Sequence, residues 1–387
     1  MEDHIKVILS LLLFKIMRFT NTLFYLVILI ISNFHVQLAT SQSIVKVSKE
    51  DFPEIITIEG EPILTYDYHH HFKIHLLDTL LLTTVNGGKN HYHVYHKDKL
   101  TYLGAVGVRG DGPDEWDIPS TTVGQFELTK EGIGLWNFNY LRGTFTLINL
   151  TKTLESGSPK PILNRRLRIN TKVFPYYQLY MGDNNKIFAS GWIFEENRSR
   201  LKFFDLESNQ IGKTALFPTI RNSGNFPPEI MNSLYTASFG KHPTEDKFVQ
   251  ALFVYNRIDI FDGNLKVLKS IVDGENWKND YYDGKEIDIT INFISPRMNG
   301  FNGLALSNNF IFALEGKKNE GTDEEIENES FIRVYDWEGR PKAYLNVNHD
   351  LTGIAFDEKS GNLYATDYSH ELVLRFNILE QVGKWSN

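Results

Sequence analysis

The chain has 387 residues, of which 42% are hydrophobic and 23% charged, and this balance is typical of a globular protein with a large buried core. Its formal net charge of −8 argues against general nucleic-acid binding, which requires a basic surface. The absence of cysteine excludes disulfide bonds, thiol catalysis and cysteine-ligated zinc.

The N-terminal segment predicts export. A start at Met17 would place one basic residue before the apolar run Leu23–Ile31, which is too short for a comfortable membrane span. Ala39 and Ser41 then occupy the small-residue positions of a signal-peptidase site. We therefore expect residues 1–41 to be a cleaved signal peptide and the mature protein to be periplasmic or extracellular, without a stable membrane span. An uncleaved anchor is the alternative.

The rest of the chain has the pattern of an all-β protein, because short apolar runs alternate with clusters of Gly, Asn and Asp. One pattern recurs six times: alternating apolar residues, an Asp or Asn, a turn, and a second apolar strand. The six copies are residues 93–104, 144–154, 201–212, 257–268, 331–345 and 372–379. Their average period of about 56 residues holds four short strands. Residues 42–387 are therefore predicted to form a single domain, a six-bladed β-propeller.

The ring is predicted to close with an N-terminal strand. The last copy of the pattern leaves little sequence for a fourth strand, whereas EIITIEG at residues 54–60 has strand character and no blade of its own. We expect this segment to complete the sixth blade. The segments 277–288 and the acidic tract 317–330 are predicted to be solvated loops that project from the ring.

The most specific motif is the loop VGVRGDGPDEW at residues 106–116. It has the form G-x-x-G-x-G-P-x-E, whose specified positions are Gly107, Gly110, Gly112, Pro113 and Glu115. Together with the six periods, this motif resembles the TolB-like six-bladed propellers of Gram-negative envelopes, and more distantly the NHL-repeat propellers. The resemblance covers nearly all of residues 43–380. It implies the architecture and an envelope location, and it implies no particular chemistry.

Known ligand-binding motifs do not fit this loop. A P-loop requires Lys-Ser/Thr after the last glycine, and an EF-hand requires acids at a different spacing. The glycines suit tight turns, and Arg109 can pair with Asp111 or Glu115, so the loop is predicted to be a structural clamp. The alternative is that Arg109, Asp111 and Glu115 contact a ligand or partner near the ring opening.

The histidines are clustered in the sequence, since seven of the twelve lie between His69 and His96. His91 and His93 fall on the same face of a predicted strand, where two imidazoles could bind one divalent metal ion. No third ligand can be identified from the sequence, and no other cofactor is expected.

The predicted function is recognition rather than catalysis. Neither the G-x-S-x-G elbow nor the H-E-x-x-H motif occurs in the sequence. We expect a non-catalytic propeller that binds a protein, peptide or glycan through its loops and channel face. The alternative is a metal-dependent hydrolase or lyase of the lactonase type with its site in the central channel. A ring of carboxylates, amides and histidines converging there would favour the enzyme.

Overall fold

The protein is described by a computed structural model. The model describes residues 43–65, 70–116, 119–120, 125–139, 141–169, 176–182, 185–191, 199–206, 215–216, 236–253, 256–273, 300–316 and 329–386. Residues 44–387 cluster into one compact unit. The predicted signal peptide at 1–41, the loop 277–288 and most of the acidic tract 317–330 lie outside the described residues.

Three strands precede the first blade, and the first two blades follow them. The N-terminal strands are β1 (Ser43–Val47), β2 (Ile55–Ile58) and β3 (Glu61–Thr65). Blade 1 contains β4 (His70–Leu77), β5 (Leu80–Asn86), β6 (Asn90–His96), β7 (Tyr102–Arg109) and β8 (Glu115–Trp116). Blade 2 contains β9 (Pro119–Ser120), β10 (Phe126–Thr129), β11 (Gly132–Asn139), β12 (Thr144–Asn149) and β13 (Leu163–Arg168).

Blades 3 to 6 continue in chain order. Blade 3 contains β14 (Tyr176–Met181), β15 (Lys186–Gly191), β16 (Ser199–Asp205) and β17 (Ala215–Leu216). Blade 4 contains β18 (Ala237–Lys241), β19 (Lys247–Leu252), β20 (Arg257–Asp262) and β21 (Val267–Asp273). Blade 5 contains β22 (Phe301–Leu306), β23 (Phe310–Glu315), β24 (Ser330–Asp336) and β25 (Pro341–Val347). Blade 6 contains β26 (Leu351–Asp357), β27 (Asn362–Asp367) and β28 (Leu372–Asn377).

The described strands form six sheets of four or five strands each, so the predicted six-bladed all-β propeller is confirmed. Two α-helices, α1 (Leu150–Glu155) and α2 (Leu379–Trp385), and one short 3-10 helix (Lys49–Asp51) accompany the described strands. The second half of the copy at 144–154 was expected to be a strand and is α1 instead. The reason is local, because the Asn149 side chain accepts a hydrogen bond from the Lys152 backbone at 2.9 Å and so caps the start of a helix.

Stacking between neighbouring sheets explains the apolar strands. In β23, Ile311 and Ala313 pack into the core shared with blade 4, whereas Phe310, Phe312 and Leu314 pack into the core shared with blade 6. Successive side chains of a strand point to opposite faces, so a sheet buried on both faces needs a nearly continuous apolar run. The second strand of each blade therefore reads as a run such as FIFAL.

The N-terminus closes the ring, but not with the segment expected. Residues 54–60 were predicted to complete the sixth blade; instead β2 pairs in parallel with β25 as a fifth strand of blade 5. The fourth strand of blade 6 is β3, which pairs antiparallel with β28. The residue Pro62 made β3 hard to recognise as a strand. Proline is tolerated in β3 because the strand lies at the outer edge of its sheet, where one row of backbone groups needs no partner.

The antiparallel order gives the propeller two distinct faces. In each blade, the first strand begins and the second strand ends on the same face, which we call the entry face. Its described loops include residues 87–89, 110–114, 141–143, 348–350 and 368–371. The opposite face, called the exit face, includes the turns at residues 130–131, 307–309 and 358–361. The motif loop at 106–116 therefore extends to the entry face.

Candidate functional site

A narrow channel lies where the innermost strands meet. Its volume is about 80 Å³, and it is lined by β4, β14, β18, β22 and β26. The polar residues of the described lining are Lys73, His75, Gln178, Ser238, Asn302 and Thr352. None of the described lining residues is an aspartate or glutamate. Among the described lining residues, a histidine and two amides therefore lie near the axis, and this set contains none of the carboxylates that calcium prefers.

Protein surrounds the polar groups of the channel closely. The Lys73 side chain is exposed to the solvent of the channel, yet the surrounding protein lowers its pKa by desolvation. His75 is buried, and this burial, together with the nearby Lys73, lowers the pKa of the imidazole to about 3. Oε1 of the buried Gln178 has no hydrogen-bond partner among the described residues. The channel is thus a constricted space with a few polar groups, in which positive charge is disfavoured.

We expect His75 to make the stability of the propeller dependent on pH. Because its pKa falls from 6.5 to about 3 on folding, the unfolded chain binds one more proton than the folded chain between these values. Stability is therefore full above pH 6.5 and is lost as the pH falls, by about 1.4 kcal/mol per pH unit. Urea denaturation at pH 7 and pH 5 should show a loss of about 2 kcal/mol in the wild type that His75→Gln reduces. Equal losses in the two proteins would contradict this assignment.

The motif loop is folded tightly against its own residues. Gly107 has a φ of +80°, and a Cβ atom at this position would lie 2.4 Å from the Trp116 ring, so both the backbone conformation and the space favour glycine. The Gly112 backbone donates to the Glu115 carboxylate at 2.8 Å. The guanidinium of Arg142, from the neighbouring blade, donates to the backbone carbonyls of Asp111 and Gly112. These contacts join the loop to itself and to blade 2, and its role as a structural clamp stays a prediction.

Arg109 and His91 connect the same loop to the preceding turn. Arg109 Nε donates to the Gly88 carbonyl at 3.0 Å, and its Nη2 lies 3.5 Å from His91 Nδ1. His91 is buried, and its Nε2 donates to the Trp116 carbonyl at 2.6 Å. The structure therefore brings Arg109, His91 and Trp116 together at the base of the loop, while Asp111 and Pro113 are exposed on it. A ligand contact by Arg109, Asp111 or Glu115 stays a prediction.

The second predicted histidine lies in a different environment. His93 is partly buried and packs edge-on against Tyr102, with the ring centroids 5.6 Å apart. His91 already has a hydrogen-bond partner near each ring nitrogen. A metal ion shared by His91 and His93 also stays a prediction.

A third group of side chains on the entry face was missed by sequence reasoning. Among the described residues, His349, Asp367 and His370 bring their ligand atoms within 4.8 Å of one another. His349 immediately precedes the blade 6 strands, Asp367 is the last residue of β27, and His370 lies in the turn between β27 and β28. The pairing of Leu351 with Asp367 brings these segments together. Sequence spacing alone gave no signal, because the two histidines join one carboxylate only through the fold.

Comparison with known proteins identifies the family. A family described as "TolB-like 6-blade propeller-like" matches residues 52–359. The chain belongs to this family. The resemblance inferred from the motif loop is thus confirmed for the TolB-like propeller. No curated protein sequence matches this one.

Solved structures are similar to this TolB-like chain. One is a Bacteroides fragilis protein described as exported, with 11% identity, a TM-score of 0.51, and coverage of 83% of this chain and 98% of that chain. Another is a DUF4221-family protein from Bacteroides vulgatus, with 10% identity, a TM-score of 0.48, and the same two coverages. The likeness to the Bacteroides fragilis protein shows the fold alone. In the part of the TolB-like chain that the structure describes, no helix combines the length and apolar character needed to cross a membrane.

Proposed function

We propose that this TolB-like propeller is an exported, non-catalytic recognition protein that binds a polypeptide on its entry face. The observation that supports this proposal is the channel, which has a volume of about 80 Å³ and a described lining without carboxylates. Pockets that enclose small organic ligands usually measure roughly 300–1,000 Å³. The axis therefore offers little room for a substrate, and recognition is assigned to the surface around its mouth.

The entry face carries exposed apolar side chains suited to a partner. Leu141 is 57% exposed in the turn between β11 and β12 of blade 2, and Tyr368 is 40% exposed in the equivalent turn between β27 and β28 of blade 6. Blades 2 and 6 are the neighbours of blade 1 around the ring, so the motif loop of blade 1 lies between them on this face. Aromatic side chains are enriched in protein interfaces. A leucine side chain adds apolar contact area, which suits a protein partner better than a sugar ring. A protein or peptide is therefore favoured over a glycan.

The alternative is a metal-dependent hydrolase or lyase that uses the channel. That activity would need acidic or histidine ligands around a vacant coordination position. His75 is present in the described lining, and none of the other lining residues that the structure describes is a histidine, aspartate or glutamate. The geometry therefore supports recognition better than channel catalysis.

Export is part of the same proposal. The predicted signal peptide at residues 1–41 directs the chain out of the cytoplasm, and a structurally similar protein is described as exported. We place the mature protein in the periplasm or at the cell exterior, where a chain without cysteine needs no oxidative folding.

Site-specific photo-crosslinking in the native host tests the assigned face. A photoreactive amino acid replaces Leu141 or Tyr368 on the entry face and, as matched controls, the exposed Leu128 or Leu379 near the exit face. We expect one discrete polypeptide adduct from each entry-face position and none from the controls. Adducts of equal yield from both faces, or adducts to glycan alone, would contradict the proposal.

A further inference from the structure

Two histidines contact one buried aspartate at the entry-face end of blade 6. His349 Nδ1 lies 2.7 Å and His370 Nδ1 lies 2.8 Å from the same oxygen, Oδ2 of Asp367. The two imidazole rings meet edge-on, with their centroids 5.9 Å apart. Three groups that are ordinary metal ligands thus approach a single point from three directions.

The charge of Asp367 requires a cationic partner. The residue is 0% exposed, and a buried carboxylate is costly unless it is paired with positive charge. Among the described residues, the ion-pair partners within 4.0 Å of this carboxylate are His349 and His370. A divalent cation bound by the carboxylate and the two imidazoles would supply positive charge at this point.

The spacing of the three atoms is close to that of a metal site. Ligands bound to one ion at about 2.1 Å are about 3.0 Å apart in octahedral geometry and about 3.4 Å apart in tetrahedral geometry. The two nitrogen–oxygen separations of 2.7 and 2.8 Å are shorter than these distances, and all three ligand atoms lie within 4.8 Å of one another. Both histidines lie in loops of the entry face rather than in strands, so a small adjustment of these loops would bring the three atoms to the spacing of a bound ion.

Surrounding hydrogen bonds hold the ligands in place. The second oxygen of Asp367 accepts the backbone N–H of His370 at 3.1 Å. Ser330 Oγ donates to the His349 carbonyl at 2.7 Å and accepts from the Leu351 backbone at 2.9 Å. Such outer contacts orient metal ligands and raise the affinity of natural sites. In contrast, the His349 and His370 side chains are 24% and 47% exposed, so the solvent side is open to a water molecule or a further ligand.

From this geometry we propose that His349, Asp367 and His370 bind one divalent transition-metal ion of the zinc type. Imidazole nitrogen favours zinc and its neighbours in the first transition series over calcium or magnesium, which prefer oxygen ligands. Three protein ligands leave a coordination position that opens on the entry face. The site lies outside the axial channel and outside the motif loop, and it does not depend on the identity of any partner.

Calorimetric titration with zinc chloride tests the site. The full mature chain is purified without a polyhistidine tag, stripped with a chelator, and titrated at pH 7.5. We expect one ion per chain in the wild type. His370→Gln and His349→Gln should each weaken binding by at least the roughly 10- to 100-fold that loss of an outer-shell partner costs. Both residues are partly exposed, so these variants should fold, and circular dichroism verifies that they do.

The matched control is His93→Gln, which removes a histidine of the other predicted pair. Unchanged zinc binding in this control, together with weakened binding in His370→Gln, supports the site. Absence of stoichiometric binding by the wild type, retention of full affinity in His370→Gln, or loss of binding in His93→Gln alone would each overturn it. Because zinc is the only probe, failure here would leave the proposal of polypeptide recognition standing.

Discussion

Removal of residues 43–65 is expected to abolish the cooperative folding of the propeller. The three strands of this segment lie at the outer edges of three different blades, since β1 joins blade 4, β2 joins blade 5 and β3 joins blade 6. The segment also buries Val47, Phe52 and Ile58, and the Phe52 ring packs 5.4 Å from that of Tyr335. Each such side chain contributes about 2–5 kcal/mol, and the sum is comparable to the total stability of an ordinary domain.

Urea denaturation followed by tryptophan fluorescence measures the effect. The matched control is the chain that begins at Ser43, which keeps all three strands and should unfold in one cooperative transition. A chain that lacks only residues 43–47 should be intermediate, because blade 4 retains its four other strands. If the chain without residues 43–65 unfolded cooperatively within about 1 kcal/mol of the control, closure by the N-terminus would be refuted.

Replacement of Asp259 by alanine is expected to destabilise the protein by about 3–5 kcal/mol. Asp259 of β20 is fully buried and accepts from Arg200 of blade 3 at 2.5 Å and from Arg257 of its own strand at 2.9 Å. Ser270 also donates to this carboxylate. Its removal would leave the positive charges of two arginines inside the protein without this counter-charge, and Arg200 is only 2% exposed.

The ionisation of Asp259 makes this contribution independent of pH in the neutral range. Burial raises the pKa of the carboxyl, but Arg200, Arg257 and the hydrogen bonds outweigh it, and the pKa lies well below its usual value of 3.8. The stabilisation is therefore complete above about pH 4 and is lost only as the pH falls further. The control is Lys152→Ala, which breaks an ion pair with Glu131 whose side chains are 45% and 55% exposed, and it should cost less than about 1 kcal/mol. A loss below about 1 kcal/mol for Asp259→Ala in urea denaturation would contradict the account.

The repeated strands could be predicted because they carry their pattern locally. Each second strand, such as β23 or β27, must be apolar on both faces to fit between two blades, and this requirement is visible in a run of five or six residues. Which blade each N-terminal strand joins could not be predicted from such a local pattern. β2 reads as a stronger strand than β3, but strand character does not tell which blade a terminal segment joins, and Pro62 concealed the strand that completes blade 6.

The candidate sites were predictable only where a motif is contiguous. The glycines of the motif loop lie within a few residues of Glu115 and Trp116, so their tight turn could be inferred from spacing alone. Lys73, His75 and Gln178 meet at the axis because their strands are innermost, and His349 meets His370 because β26 pairs with β27. Such convergence depends on tertiary structure, which a single sequence does not display.

An engineered disulfide bond tests the closure of the ring most directly, because the chain has no cysteine of its own. Glu61 and Arg375 are paired across β3 and β28, and opposed residues of an antiparallel pair lie at a Cα separation that a disulfide can bridge. We expect Glu61→Cys/Arg375→Cys to form an intramolecular disulfide on mild oxidation, detected as a cross-linked peptide by mass spectrometry, whereas the control Glu59→Cys/Arg375→Cys stays reduced. Cross-linking of the control pair with none between positions 61 and 375 would contradict the account, since residues 54–60 would then complete the sixth blade.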